Sequence, residues 1–411
     1  MNRIDELIKK LCPNGVEYKK ASEIKIESFW LMPSTPTYIA DGVPYITSKN
    51  IKNGKINFEN VNYISEKDYL SISSNRTIKK NDLLITMIGT IGETAFVEED
   101  IKFYGQNMYL IRLNEKVINR KFFNYYLTSE KIKNSLVSRK NTSSQGYIKA
   151  GSIENLLLPV PPLEIQCEIV HILDDFTLLS AELSAELKAR QKQYQYYIDY
   201  FYALENKENL DGKIYQLDEL GELIRGKRFV HADAVSENGI PAIHYGELYT
   251  YYGVIATETK SQIRKDIPKK LRYAKKGDIV IVGAGENNID IGVGVAWLGD
   301  YEVAVHDACY IFHPSEKVLS FYLRADMYHQ QIKKYVSEGK ICAISAQGIG
   351  KSKIYVPSIE EQKRVIKILE NFDKLNKDIR SGIPAEIEAR QKQYEYYRDK
   401  LLTFKELKVN E

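Results

Sequence analysis

The sequence predicts a mixed α/β (α+β) fold. Two similar globular units with curled, mixed or mainly antiparallel sheets are separated by two long antiparallel coiled-coil helices, in a pseudo-two-fold internal repeat. Three observations predict it. The chain duplicates itself with a period near 200 residues, the segment closing each copy has heptad-like apolar spacing, and the remainder carries short β-type runs between turn residues.

The duplication is read directly from the residues. Val160-Pro-Pro-Leu-Glu-Ile-Gln166 matches Val356-Pro-Ser-Ile-Glu-Glu-Gln362, and Ile172-Leu-Asp-Asp-Phe176 matches Ile368-Leu-Glu-Asn-Phe372, both at an offset of 196. Ala189-Arg-Gln-Lys-Gln-Tyr-Gln-Tyr-Tyr197 matches Ala389-Arg-Gln-Lys-Gln-Tyr-Glu-Tyr-Tyr397 at an offset of 200. Four residues are therefore added in the second copy, most simply Ser381–Pro384. Upstream the likeness is looser: Lys79–Ile85 resembles Lys275–Ile281, and Gly42–Ile46 resembles Gly239–Ile243. A period this long means two domain-sized units rather than a solenoid. The expected division is a first globular unit at 1–160, a spacer helix at 161–208, a second unit at 209–356 and a second spacer at 357–411.

In the first globular unit the β-type runs are Tyr45–Thr47, Leu83–Thr86, Thr94–Val97 and Tyr109–Arg112, followed by a helical stretch over Arg120–Leu136. The spacer then places Ile165, Ile169, Ile172, Phe176, Leu179, Leu183, Leu187, Tyr194, Tyr197, Phe201 and Leu204 at alternating steps of four and three, with one stutter. A helix over about 162–206 would be roughly 65 Å long. The second unit repeats the plan with Ile279–Val282, Val293–Trp297 and Ala308–Phe312, then a helical stretch over Lys317–Tyr335. Its spacer repeats the apolar seam from Val365 to Phe404, but Gly382 and Pro384 fall inside it. A kink or break is expected there, because proline removes a helical hydrogen bond.

Composition sets limits. A chain of 411 residues is too long for one ordinary core. With 44% hydrophobic and 27% charged residues it is not wholly disordered, and a net charge of +3 excludes a histone-like polycation. Cys12, Cys167, Cys309 and Cys342 show no metal-ligand or disulfide spacing and read as small core residues in a reducing compartment. The charged segment Met1–Lys10 is unlike a signal peptide, and no apolar run reaches the roughly 20 residues that cross a bilayer, so a cytoplasmic chain without membrane contact is expected.

Catalytic, cofactor-binding and metal-binding motifs are not found. Gly348-Ile-Gly-Lys-Ser352 resembles the tail of a phosphate-binding loop, but position 345 is Ser, and a turn before the helix is the better reading. Gly283-Ala-Gly285 follows a strand, yet the third glycine of a dinucleotide fingerprint would be Asn288. Scattered histidines and Glu-Gly-Lys triplets read as ordinary structure and chance.

The charge is uneven. Residues 1–160 carry a net +6, 161–208 carry −5, and 209–356 and 357–411 carry +1 each. Loops dense in phosphate and base-edge donors give the DNA-binding candidates: Lys49, Asn50, Lys52, Asn53, Arg76, Arg139, Lys140, Asn141, Ser143 and Gln145 in the first unit. In the second they are Arg225, Lys227, Arg228, His244, Tyr245, Tyr251, Lys269, Lys270, Asn287 and Asn288. Arg and Lys pair with guanine edges, Asn and Gln with adenine edges. On the spacers, Arg190, Gln191, Tyr194 and Tyr197 are repeated as Arg390, Gln391, Tyr394 and Tyr397, including at positions a coiled-coil seam does not need. This points to a shared partner-binding face, since Tyr and Arg anchor interfaces.

A variable–constant–variable–constant plan with two Ala-Arg-Gln-Lys-Gln-Tyr-x-Tyr-Tyr helices resembles the specificity subunit of type I restriction–modification enzymes, the HsdS family. Gly382–Leu401 is very like that family's distal conserved region, and Pro13-Asn-Gly-Val-Glu-Tyr18 looks like its entry into the first recognition domain. The resemblance implies two target recognition domains, each reading half of a split double-stranded DNA sequence. It implies helices that set the half-site spacing and dock two methyltransferase subunits, joined by restriction–translocation subunits, in phage defence. S-adenosylmethionine would belong to the methyltransferase, and ATP and Mg to the motor-nuclease, leaving this chain non-catalytic and without a cofactor. The first spacer departs from the pattern by lacking the Gly-x-Pro break. A rival reading is a helical scaffold whose two α/β modules bind protein or carbohydrate.

Overall fold

A computed structural model describes residues 2–138, 146–203, 212–267, 270–314, 319–377 and 382–407. The chain forms two compact units, Met1–Ser180 with Arg390–Glu411, and Ala181–Ala389.

In the first unit, strands Lys25–Leu31, Met108–Leu113, Leu83–Thr86 and Thr94–Phe96 form an antiparallel sheet in that order. Leu83-Leu-Ile-Thr is buried on both faces because the pleat sends Leu83 and Ile85 into one apolar cluster and Leu84 into another. A second sheet, Tyr104–Gly105, Val43–Ile46, Asn62–Ile64 and Tyr38–Ile39, contains one parallel pair, Tyr104–Gly105 on Val43–Ile46. The strand Glu17–Lys20 pairs with Leu157–Val160, which leads into the long helix. The second unit repeats this plan. One sheet runs Gly221–Arg225, Cys309–Pro314, Ile279–Val282, Gly294–Trp297 and Ile255–Ala256; another centres on Ile240–Ile243, between Ser261–Ile263 and Val303–Val305. Gly212–Gln216 pairs with Lys353–Pro357 before the next helix.

Corresponding bonds recur within each unit. Asp82 accepts from the backbone N–H of Lys79 at 2.8 Å, and Asp278 from that of Lys275 at 2.6 Å. The buried carboxylate of Asp82 is paired with Arg112, and that of Asp278 lies 2.6 Å from His313 Nδ1, at the same place in the sheet. Gln166 and Gln362 each donate to the carbonyl five residues back, Pro161 and Pro357, fastening the start of a helix to the preceding strand.

Leu163–Tyr202 is one helix of 40 residues, about 60 Å long. Its first turns bury Ile165, Ile169 and Leu173 in the first unit, and its last bury Tyr194, Ile198 and Tyr202 in the second. Between them Leu178 is 60% exposed. The second spacer forms Ile359–Lys377 and Ile383–Leu401. Pro384 sits in the first turn of the latter, where its missing N–H costs no helical bond; Ser381 lies outside the described residues.

Each unit is completed by helix from both spacers. In the first, Phe176 stacks on Tyr397 with centroids 5.6 Å apart, and Leu401 and Leu402 join the core. The backbone then runs parallel to Val16, whose N–H donates to the Lys405 carbonyl at 2.9 Å. In the second, Phe372 packs against Tyr197 at 5.4 Å and Tyr194 at 6.4 Å.

Four details differ from the sequence reading. The stretch Lys317–Tyr335 holds two helices, Leu319–Tyr322 and Asp326–Lys333, rather than one. Arg120–Leu136 is two helices, Arg120–Leu127 and Glu130–Ser138, because the Thr128 and Ser129 hydroxyls donate back to the Asn124 and Tyr126 carbonyls and end the first. Gly348 and Gly350 belong to a short helix, Ala346–Gly350, followed by a strand rather than by a long helix; a Cβ on either would lie 2.9 Å from a neighbouring side chain. Cys12, Cys309 and Cys342 are buried, but Cys167 is exposed on the outer face of its helix. Among the described residues no helix is long and apolar enough to cross a membrane.

Replacing Leu402, which is 5% exposed, tests this division of the helices. Leu402→Ala should cost roughly 2–5 kcal/mol in the first unit. Hydrogen–deuterium exchange should rise in residues 1–180, not in 212–377.

Candidate nucleic-acid interface

In the first unit the strand Val43–Ile46 runs into a turn at Ser48–Asn50 and then a hairpin, Ile51–Lys52 with Lys55–Ile56. Asn53-Gly54, with φ of 52° and 75°, makes the tight turn that such hairpins favour. Asn50 holds the loop together. Its Oδ1 accepts from the Thr47 N–H at 2.9 Å, and its Nδ2 donates to the carbonyls of Asn57 at 3.1 Å and Asn60 at 3.3 Å. The loop encloses a polar cavity of about 530 Å³ lined by Tyr45, Thr47, Ser48, Lys49, Asn50, Lys52, Asn57, Asn60, Asn62 and Asn107. Of the predicted residues, Lys49, Asn50 and Lys52 thus meet at one site, with Asn53 at the hairpin tip. Arg76 is elsewhere, donating to the Trp30 carbonyl at 3.1 Å. Arg139, Lys140, Asn141, Ser143 and Gln145 lie outside the described residues.

The second unit has a cavity of about 340 Å³ at the corresponding place. The strand Ile240–Ile243 ends at His244, whose N–H donates to Glu247 Oε2 at 3.0 Å, just as Thr47 donates to Asn50. The Ser261 hydroxyl donates to the other oxygen of Glu247, which is 8% exposed. His244 and His306 lie with ring centroids 4.3 Å apart, and Phe229 meets His306 edge-on at 5.0 Å. Arg225 Nε donates to the Asp307 carbonyl at 2.8 Å, and the Lys227 N–H donates to that of Val305 at 2.9 Å. Arg225, Lys227 and Arg228, all exposed, are therefore gathered beside His244 and Tyr245. Tyr251 is 53% exposed, with the Lys260 ammonium 5.0 Å over its ring, and Lys260 also lines the cavity.

Asn287 and Asn288 stand apart, on a hairpin loop among Glu286, Asp290 and Glu338, an acidic setting that suits phosphate poorly. Lys270 is exposed, and Lys269 lies outside the described residues.

Burial pushes the His244 imidazole below its ordinary value, against the pull of Glu247 and Asp307. Burial lowers His306 as well; the neighbouring His244 adds to the shift and Asp307 opposes it. Among the described residues no group of His, Cys, Asp or Glu is placed to hold a metal ion.

On the spacers, Tyr194 is 8% exposed and Tyr197, Tyr394 and Tyr397 are half-buried, all engaged in the aromatic stacking within their units. Arg190 and Arg390 bond to Gln193 and Gln393 one turn on, while Gln191 and Gln391 are exposed. The rings that face outward are Tyr196, Tyr200 and Tyr396, at 63%, 58% and 63% exposed.

The residues missed by the sequence reading are Asn57, Asn60, Asn62 and Asn107 in one unit and Glu247, Ser261 and His306 in the other. The drifting offset between the copies was the available signal. It is 197 at Thr47 and His244, 199 at Asn62 and Ser261, and 200 at Gln106 and His306. The last two donate to the Ile46 and Ile243 carbonyls, which confirms the equivalence.

A family model described as the type I restriction modification DNA specificity domain matches residues 32–190 and again 209–389. The type I restriction enzyme EcoR124I/EcoR124II specificity subunit of Escherichia coli is 32% identical over 265 residues, covering 60% of this chain and 61% of that protein. A Haemophilus influenzae protein, provisionally named a type I restriction enzyme specificity subunit, is 28% identical over 324 residues, covering 74% and 77%. A chain solved in work on complex assembly and conformational transition of the type I R-M system superimposes with a TM-score of 0.65. It has 16% identity and covers 95% of this chain and 98% of its own length, a likeness of fold.

The lowered imidazoles set a pH dependence. Both favour the neutral form when folded, so the unfolded chain takes up more protons once pH falls below about 6.5. Stability is full above that value and declines below it. Thermal unfolding should therefore fall between about pH 7.5 and pH 5.5. His306→Gln, which installs the residue found at the equivalent Gln106, should flatten that decline.

Proposed function

The chain belongs to the type I restriction–modification DNA specificity family, and we propose that it is the subunit that selects the DNA target while performing no bond chemistry itself. Residues 1–160 and 209–356 are the two recognition domains, each reading half of a bipartite duplex site. Residues 161–208 and 357–411 are the spacers that set the gap and dock two methyltransferase subunits, to which restriction–translocation subunits join in the cytoplasm. S-adenosylmethionine, ATP and Mg belong to those partners.

The observation that carries this reading is a single frame used twice with different linings. The same bond, from a backbone N–H to a side-chain oxygen three residues on, shapes a cavity in each unit, at Thr47–Asn50 and at His244–Glu247, while the other side chains around it differ. Two readers of one architecture, each set for a different half-site, require that arrangement. The exposed cations support it: Lys49 and Lys52 flank one cavity, and Arg225, Lys227 and Arg228 gather near the other. Cations of this kind hold phosphate and fix register, while amides and imidazoles address base edges. For the partner face, Tyr196 and Tyr396 are the outward rings at corresponding positions of the two spacers. They are better placed for docking than Tyr194 or Tyr197, which are spent on internal packing.

Bound to its methyltransferase partner, the chain should retain one bipartite duplex from a random pool, with affinity falling steeply as salt rises. Absence of enrichment at low salt would favour the scaffold reading. Mapping methylated adenines in a host with and without the gene should show two short blocks at a fixed gap, present only with the gene.

A second outcome concerns the spacer. Four residues inserted near Leu187, in the stretch where the helix buries least, should change the gap between the blocks and leave their letters intact. A change of letters instead would refute the spacer role.

A further inference from the structure

We infer that the amide-lined cavity of the first unit seats an adenine of the target, read by Asn60, Asn62 and Asn107. This rests on the DNA-reading role proposed above and assigns the chemistry of one of its sites.

The internal repeat separates frame from reader. Thr47 N–H to Asn50 becomes His244 N–H to Glu247, and Gln106 N–H to Ile46 becomes His306 N–H to Ile243. Those bonds persist while the offset between the copies drifts from 197 to 200, because they hold the loops. What lines the cavity does not persist: Asn62 stands where the other unit has Ser261, and Lys49 where it has Gly246. The exchanges at the cavity leave the loops in place and change the donors and acceptors that a ligand meets.

The lining of the first cavity is specific in kind. Asn60, Asn62 and Asn107 form no side-chain hydrogen bond among the described residues, so their amides are available. Each offers one donor and one acceptor side by side. The adenine major-groove edge presents the complement, N7 accepting and N6 donating, whereas guanine presents two acceptors and suits Arg or Lys. The backbone that carries two of them is fixed in advance. Asn50 grips the Asn60 carbonyl at 3.3 Å. Asn107 is held at φ 67° with its N–H donating to the Leu31 carbonyl at 2.9 Å and its own carbonyl accepting from Met87 at 3.1 Å. Binding then has to order these side chains but not the backbone that carries them. Lys49 and Lys52 ride on the exposed turn and hairpin at the rim, placed for phosphate.

The test uses the complex with its methyltransferase partner and a randomised duplex library. Asn60 and Asn62 are exposed, so Asn60→Ala and Asn62→Ser should keep the wild-type unfolding temperature. Each should lose about tenfold or more in discrimination for adenine at one or two adjacent letters of a single half-site, with the other half-site and the gap unchanged. Lys49→Ala and Lys52→Ala should weaken binding to all sequences alike and lower the salt slope by about one each. Unchanged letters in both Asn variants would overturn the assignment. So would a change in both half-sites, or a lysine variant that alters a letter. If the wild-type complex selects no bipartite sequence, the DNA-reading role itself fails, an outcome distinct from a wild type that selects normally and variants that do not differ.

Discussion

A phenylalanine from one spacer lying on a tyrosine from the other is the contact on which this architecture depends. Phe176 meets Tyr397 in the first unit, and Phe372 meets Tyr197 in the second. Aromatic pairs at this separation are worth about 1 kcal/mol beyond their buried area, and here each also brings a helix end into the core. Neither globular segment is therefore closed by its own sequence. The first takes Leu401 and Leu402 and the parallel run beside Val16, and the second takes Tyr194, Ile198 and Tyr202. The spacers are structural parts of the units as well as links between them. Their repeated tyrosines Tyr194, Tyr197, Tyr394 and Tyr397 answer first to packing, which leaves Tyr196, Tyr200 and Tyr396 as the rings open to other chains.

Much of this was legible in the residues. The repeat, the long helix and most strands follow from offsets and apolar spacing, because burial imposes a period that sequence must obey. Leu83–Thr86 and Ile279–Val282 were found as strands for that reason. The helix end at Thr128 was not, since it depends on hydroxyls turning back onto carbonyls, a choice made in three dimensions. The exchange of helix ends was also out of reach: the apolar seam is the same whether a segment packs on its own unit or on the other. At the candidate site, the cations near Lys49 and Arg225 were visible as charge clusters. Asn60, Asn62 and Asn107 were not, because each is an ordinary loop asparagine until the fold places it at a cavity. His306 was set aside as one of several scattered histidines, and only its alignment with Gln106 through a shared backbone bond gives it a role.

The duplication also shows how one fold tolerates different chemistry at matched points. A buried carboxylate caps the same turn in both units, yet its partner is Arg112 in one and His313 in the other. Either satisfies the buried oxygen, which is what stability requires, since an unpaired charge there would be costly. The cavities carry the same lesson further. Asn50 and Glu247 both supply the acceptor that ends the preceding strand, but one is a neutral amide and the other a carboxylate that also takes the Ser261 hydroxyl. The first unit lines its cavity with amides and hydroxyls together with lysines. The second places the His244 imidazole at its cavity, in contact with that of His306. A frame defined by backbone bonds is indifferent to this substitution, whereas a ligand is not, because the pattern of donors and acceptors it meets is rewritten. Divergence after duplication could therefore change what each unit recognises without renegotiating how it folds.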